Sequence, residues 1–126
     1  MIGLLALAAA TVAPSVNCHN AMTQFDMTQC AVREFEAADA ALNAQWRATS
    51  AHMKQIDAQG DPGDGRPSYI QALLDAQRAW LQFRDAHCRS AGYHARGGSM
   101  EPMLVAQCKA ELTRQRTGQL KDLVAQ

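Results

Sequence analysis

The run from Leu74 to Cys88 constrains the fold more than any other stretch. Leu73, Gln77, Trp80, Arg84 and Cys88 recur at three- and four-residue steps, which places them on one face of a helix. That face carries an amide, an indole, a guanidinium and a thiol where an ordinary core stripe would carry Leu, Ile and Val. A guanidinium turned inward must be paired and hydrogen-bonded. Asp85 follows Arg84 in sequence but lies about 100° round the helix, so the expected partner of Arg84 comes from another helix. The stretch therefore predicts helices packed around it and a disulfide at its end.

The rest of the chain supplies those helices. Thr23 fits an N-cap, with Asp26 in the first turn, and opens a helix expected over Gln24–Asp57. Its apolar side reads Met27, Cys30/Ala31, Phe35, Ala38, Leu42, Trp46, Thr49, Met53 and Ile56, and its polar side includes Arg33, Glu36, Asn43, Arg47, Ser50 and Lys54. A bend is allowed near Ser50. The Gly- and Pro-rich run Gln59–Pro67 ends this helix. A second helix starts near Arg66 or Pro67 and stops at Gly92. Ser99 is the expected cap of a third helix. Its inward face reads Met103/Leu104, Cys108, Leu112, Gln115/Arg116, Leu120 and Leu123/Val124. No stretch reads as a strand. The expectation is an all-α, up-down-up bundle of three main antiparallel helices, stapled by disulfides.

The 126 residues suit one domain. Residues 1–16 read as a secretory signal, truncated at its start, and residues 17–126 as the single helical domain. Met1–Ala13 is uncharged and Ile2–Ala10 almost wholly apolar, too short to span a bilayer. Cleavage fits near Ala10 or Ala13. The product is expected in a periplasm or outside the cell, without stable membrane insertion. Four cysteines, Cys18, Cys30, Cys88 and Cys108, then read as two disulfides. Cys18–Cys30 with Cys88–Cys108 is favoured because both close short loops, each worth about 3 kcal/mol. Cys30–Cys88 and Cys30–Cys108 stay open.

Formal charge is zero, so no basic field favours nucleic acid. The balance hides a split of −4 over residues 1–65 and +4 over residues 66–126. Nothing in the chain supports catalysis. The serines lack a nucleophile motif, and His19, His52, His87 and His94 are scattered. The acidic linker does not follow a calcium loop, because Pro62 and Gly63 interrupt the ligand positions. No catalytic residue, cofactor or metal is expected. Gln77, Trp80, Arg84 and Arg116 form the expected structural polar network, with Glu34, Gln45, Gln77 and Thr113 as candidate partners. A sharper reading makes the same residues a partly open groove for a partner.

Several runs resemble the secreted bacterial LprI-like lysozyme inhibitor family, specifically its N-terminal domain. They are Cys18 with Thr23-Gln24, Met27 and Cys30; Glu34-Phe-Glu-Ala-Ala-Asp39 with Leu42-Asn43; Ala76-Gln-Arg-Ala-Trp80, Phe83-Arg-Asp85 and Cys88; Gly97-Gly-Ser-Met100; and Cys108 with Leu112-Thr113 and Arg116. The resemblance implies a disulfide-bonded helical domain of the envelope that binds lysozyme without chemistry of its own. Animal-type lysozymes are basic, so Glu34, Glu36 and Asp39 become the expected acidic contact face. The alternative expectation is a structural or assembly module that binds another envelope protein or peptidoglycan.

Overall fold

A computed structural model describes residues 16–126; all but the last residue of the expected signal lies outside them. Three helices, α1 (Gln24–Asp57), α2 (Tyr69–Gly92) and α3 (Glu101–Val124), form the all-α bundle that the apolar periodicities predict. The described residues contain no strand. Among them, no helix is long and apolar enough to cross a membrane.

Helix α1 begins where its cap is. Thr23 Oγ1 accepts a hydrogen bond from the Asp26 amide at 3.1 Å, which satisfies one of the free amides of the first turn. The helix runs unbroken for 34 residues, about 50 Å at 1.5 Å per residue. There is no break at Ser50. Although assigned to the polar side, Ser50 is buried, and its hydroxyl donates to the Arg47 carbonyl one turn back at 3.2 Å. A serine that satisfies its own backbone in this way enters an interface at little cost.

The far end of α1 sets the start of α2. Asp57 Oδ1 accepts from the Tyr69 amide at 2.8 Å, and its Oδ2 from the Ile70 amide at 2.9 Å. Ser68 Oγ accepts from the Gln71 amide at 3.2 Å. Thus Ser68 is the cap and α2 starts at Tyr69, two residues beyond Pro67. Two carboxylate hydrogen bonds at a positive helix end prevail over the fixed φ of a proline.

At its other end α2 does not stop on a left-handed glycine. Gly92 remains right-handed, and a 3₁₀ turn, Tyr93–Ala95, continues the chain. Gly92 is instead required by proximity, since a Cβ there would fall 2.5 Å from Val105 Cγ2. Ser99 does not cap α3. Met100 holds the cap position without a side-chain bond, and the Gly98 carbonyl accepts from the Glu101 amide at 3.3 Å.

The bundle is organised round α1 and α3, which share the broadest interface. They run parallel, as up-down-up order requires. Gln24 Nε2 donates to Met103 Sδ at 3.4 Å near one end, and Thr49 Oγ1 donates to the Leu120 carbonyl at 2.9 Å near the other. Ala31, Ala38, Ala106 and Ala110 are buried, and small side chains of this kind let helices approach closely. This rotates α3 away from the expected inward face. Ala106, Ala110, Thr113 and Leu120 are its buried residues, while Gln115 is exposed. Leu42, Met53, Leu73 and Leu120 form the apolar centre, with Trp46, Ile56, Ile70, Trp80 and Leu123 packed on it.

Two disulfides hold the other end. Cys18 is bonded to Cys30, and Cys88 to Cys108, with Cα separations of 5.6 and 5.4 Å. Arg33 Nη1 also donates to the Val16 carbonyl at 2.8 Å, which ties the lead-in back to α1. Replacing Asp57 with Ala removes both amide acceptors from the start of α2. A loss of about 1 kcal/mol is expected by chemical denaturation, and an unchanged midpoint would show that Ser68 alone suffices.

Candidate functional site

The polar face of α2 meets the other helices at Arg84. Its side chain is 10% exposed, so the guanidinium has lost most of its water. Two aromatic rings replace it. Arg84 Cζ lies 5.2 Å from the ring centroid of Phe35 on α1 and 5.2 Å from that of Trp80 on α2. A guanidinium this close to two rings gains a cation–π contact with each while its N–H groups stay available for hydrogen bonds.

The edge bonds come mainly from its own helix. Arg84 Nε donates to Asp85 Oδ1 at 3.0 Å. The expectation of a partner on another helix holds in part: Thr113 on α3 accepts from Nη1, but the nearest acceptor is Asp85, because flexible side chains span the roughly 100° step between adjacent residues. The other helices contribute longer contacts, Thr113 Oγ1 at 3.4 Å and Asp39 Oδ1 at 3.9 Å. Asp39 and Asp85 are both more than two-fifths exposed, so solvent screens the ion pairs. Ring contacts and the Asp85 hydrogen bond are therefore the closest partners of the desolvated guanidinium. Lys109 extends the cluster, with Nζ 5.8 Å from the Phe35 ring and 3.9 Å from Asp85 Oδ1.

A second polar joint links α2 to α3. Arg116 Nε donates to Gln77 Oε1 at 2.9 Å, and its Nη1 to Gln119 Oε1 at 3.1 Å. Its Nη2 is buried with no partner among the described residues. Burial draws the Arg116 pKa down from its ordinary value, because desolvation penalises the charged form. Gln77, Trp80, Arg84 and Arg116 thus sit in two joints, not one continuous network. Of the candidate partners, Gln77 and Thr113 contact these arginines. Gln45 Nε2 donates to Thr49 Oγ1 at 3.1 Å instead, and Glu34 is exposed.

The three acidic residues of α1 do not share one face. At about 100° per residue, Glu34 and Glu36 point nearly opposite ways, whereas Asp39 lies about 60° from Glu36. Glu34 and Glu36 are exposed and Asp39 is half-buried beside Arg84. Among the described residues, no group of three His, Cys, Asp or Glu side chains could hold a metal ion. His87 stacks on Phe83 at 5.3 Å, away from any such grouping.

Phe35 and Lys109 escaped sequence reasoning. Phe35 reads as an ordinary apolar position, and Lys109 neighbours a cysteine without a pattern of its own. The only signal was the run of alternating polar and aromatic residues on α2, which demanded a counterpart it could not name. Arg84→Lys keeps the charge but loses the planar stack. A loss of about 1–2 kcal/mol is expected from thermal or denaturant unfolding. A wild-type midpoint would show that charge alone accounts for the joint.

Comparison with known proteins places this sequence in a family. The profile described as "Lysozyme inhibitor LprI" matches residues 16–120, which include α1, α2, both disulfides and nearly all of α3. An uncharacterized protein of Rhizobium meliloti (strain 1021) is 47% identical over 112 residues, covering 88% of this chain and 81% of its own length. No solved structure matches. With the family profile spanning most of its length, the chain belongs to the LprI lysozyme inhibitor family.

Proposed function

We propose that this domain is an exported, non-enzymatic protein that binds lysozyme and blocks its access to the cell wall. The observation that carries the reading is the family match over residues 16–120. Two disulfides fit an oxidising compartment outside the cytoplasm. Inhibition by occlusion needs a rigid body; the Cys88–Cys108 bond and the Arg84 joint tie the helices together, and Cys18–Cys30 ties the lead-in to α1.

The contact is electrostatic in part. Residues 1–65 carry a charge of −4, and the partner in this reading is a basic lysozyme. On the geometry above, Glu36 and Asp39 share the flank that meets it, while Glu34 points elsewhere. Charges at a rim steer encounter and are screened by salt.

The test is lysis of lysozyme-sensitive cells by a basic, animal-type lysozyme, with oxidised protein, reduced protein and no addition compared. Dose-dependent protection is expected from the oxidised form and its loss on reduction. Protection should weaken with added salt and with Glu36→Lys, but not with Glu34→Lys. No protection at large excess would reject the inhibitor reading and leave the envelope-assembly role, to be sought by pull-down of envelope components.

A further inference from the structure

A recess of about 540 Å³ opens near the Cys88–Cys108 disulfide, where α1, the 3₁₀ turn and the start of α3 meet. Its apolar lining includes Val32, Phe35, Pro102 and Val105, and its charged lining is Arg89, Lys109 and Glu101. No residue of this recess belongs to the acidic flank proposed for lysozyme.

The charges are arranged unusually. Arg89 and Glu101 line one recess, yet they form no ion pair with each other or with any other described residue. Lys109 has only the 3.9 Å contact to Asp85 and is held over the Phe35 ring. The recess therefore offers two cationic donors, one anionic acceptor and an apolar surface.

We propose that this recess binds the free carboxylate end of a peptide. The carboxylate would take Arg89 and Lys109, the adjoining peptide N–H would donate to Glu101, and an apolar last side chain would rest on Val32, Phe35 and Val105. The net charge of the lining is +1, which favours an anionic end over a neutral or cationic one. An arginine that is not already paired is suited to bidentate carboxylate recognition. The volume falls within the ordinary range of small-ligand pockets. Such an end can come from a protein or from the stem peptide of a cell wall. The two differ in the handedness of the last residue.

The measurement is a nuclear magnetic resonance titration of the oxidised protein with acetylated tripeptides ending in L-Ala or D-Ala, each as free carboxylate and as amide. Shifts are expected at the Gly92 and Val105 amides and at Arg89 Nε with the free carboxylates. Amidation, Arg89→Gln and Lys109→Gln should each weaken binding by about tenfold or more. Arg89 is exposed, and an unchanged melting midpoint for its variant confirms that the fold is intact. Preference for the D end assigns the cell-wall source, and preference for the L end or for neither assigns protein termini or the shared carboxylate chemistry. Equal binding of the amides, or no shift with any free carboxylate at about 10 mM, a limit corresponding to weaker than millimolar affinity, overturns the proposal.

Discussion

The close parallel pairing of α1 and α3 is the constraint on which the rest of the structure depends. Parallel helices cannot be joined by a short turn, because the chain must first travel back to the starting end. Helix α2 makes that return, and its placement follows from the two helices it serves. At one end the Asp57 carboxylate holds its first amides. At the other the Cys88–Cys108 bond ties it to α3. The helix is therefore pinned at its ends by polar and covalent contacts, in addition to the packing of Leu73 and Trp80, while α1 and α3 are fixed along their length by packing.

The two kinds of interface use different residues for a physical reason. Between α1 and α3, alanines and Thr113 leave room for the backbones to come close, and Thr49 reaches the Leu120 carbonyl across the seam. The α1–α2 interface is the sparsest of the three. A long side chain reaches across it, with Arg84 of α2 on the Phe35 ring of α1, while Arg116 of α3 meets Gln77 across the α2–α3 interface. A guanidinium can bridge such a distance while its planes contact rings, which an aliphatic side chain of similar length cannot do. The polar face of α2 that looks anomalous as a core stripe thus serves as its joint to α1 and α3.

The proposed lysozyme-binding role asks for a stiff body, and the cross-links that would supply it are spread through the chain. Its surface chemistry is divided. The acidic residues of α1 lie on separate flanks, and the cationic lining of the recess comes from α2 and α3. Charge separation along the sequence becomes charge separation in space because the acidic first helix packs against two helices of the basic half. A domain of zero formal charge can in this way present an anionic flank and a cationic recess at once.

Helix number, the bounds of α1 and the core positions Leu42, Met53 and Leu73 were legible in the sequence, because apolar periodicity and the Thr23 cap are local signals. The inward turn of Arg84 was legible too, since its spacing from Trp80 and Cys88 allows no other face. Its surroundings were not, because Phe35, Lys109 and Asp39 lie on other helices and nothing local marks them. The face of α3 was misjudged where alanine carries a weak hydrophobic signal but a strong steric one, which acts only when a neighbour is present. The Asp57 acceptor at the start of α2 and the need for Gly92 also depend on neighbours, since Asp57 comes from the end of α1 and Val105 from α3. The sequence by itself determined which segments are helical and which residues turn inward, through hydrogen bonding and periodicity within each segment. Only the tertiary structure decided which residues meet across the helices, because distances between segments are set by side-chain volume on both sides at once.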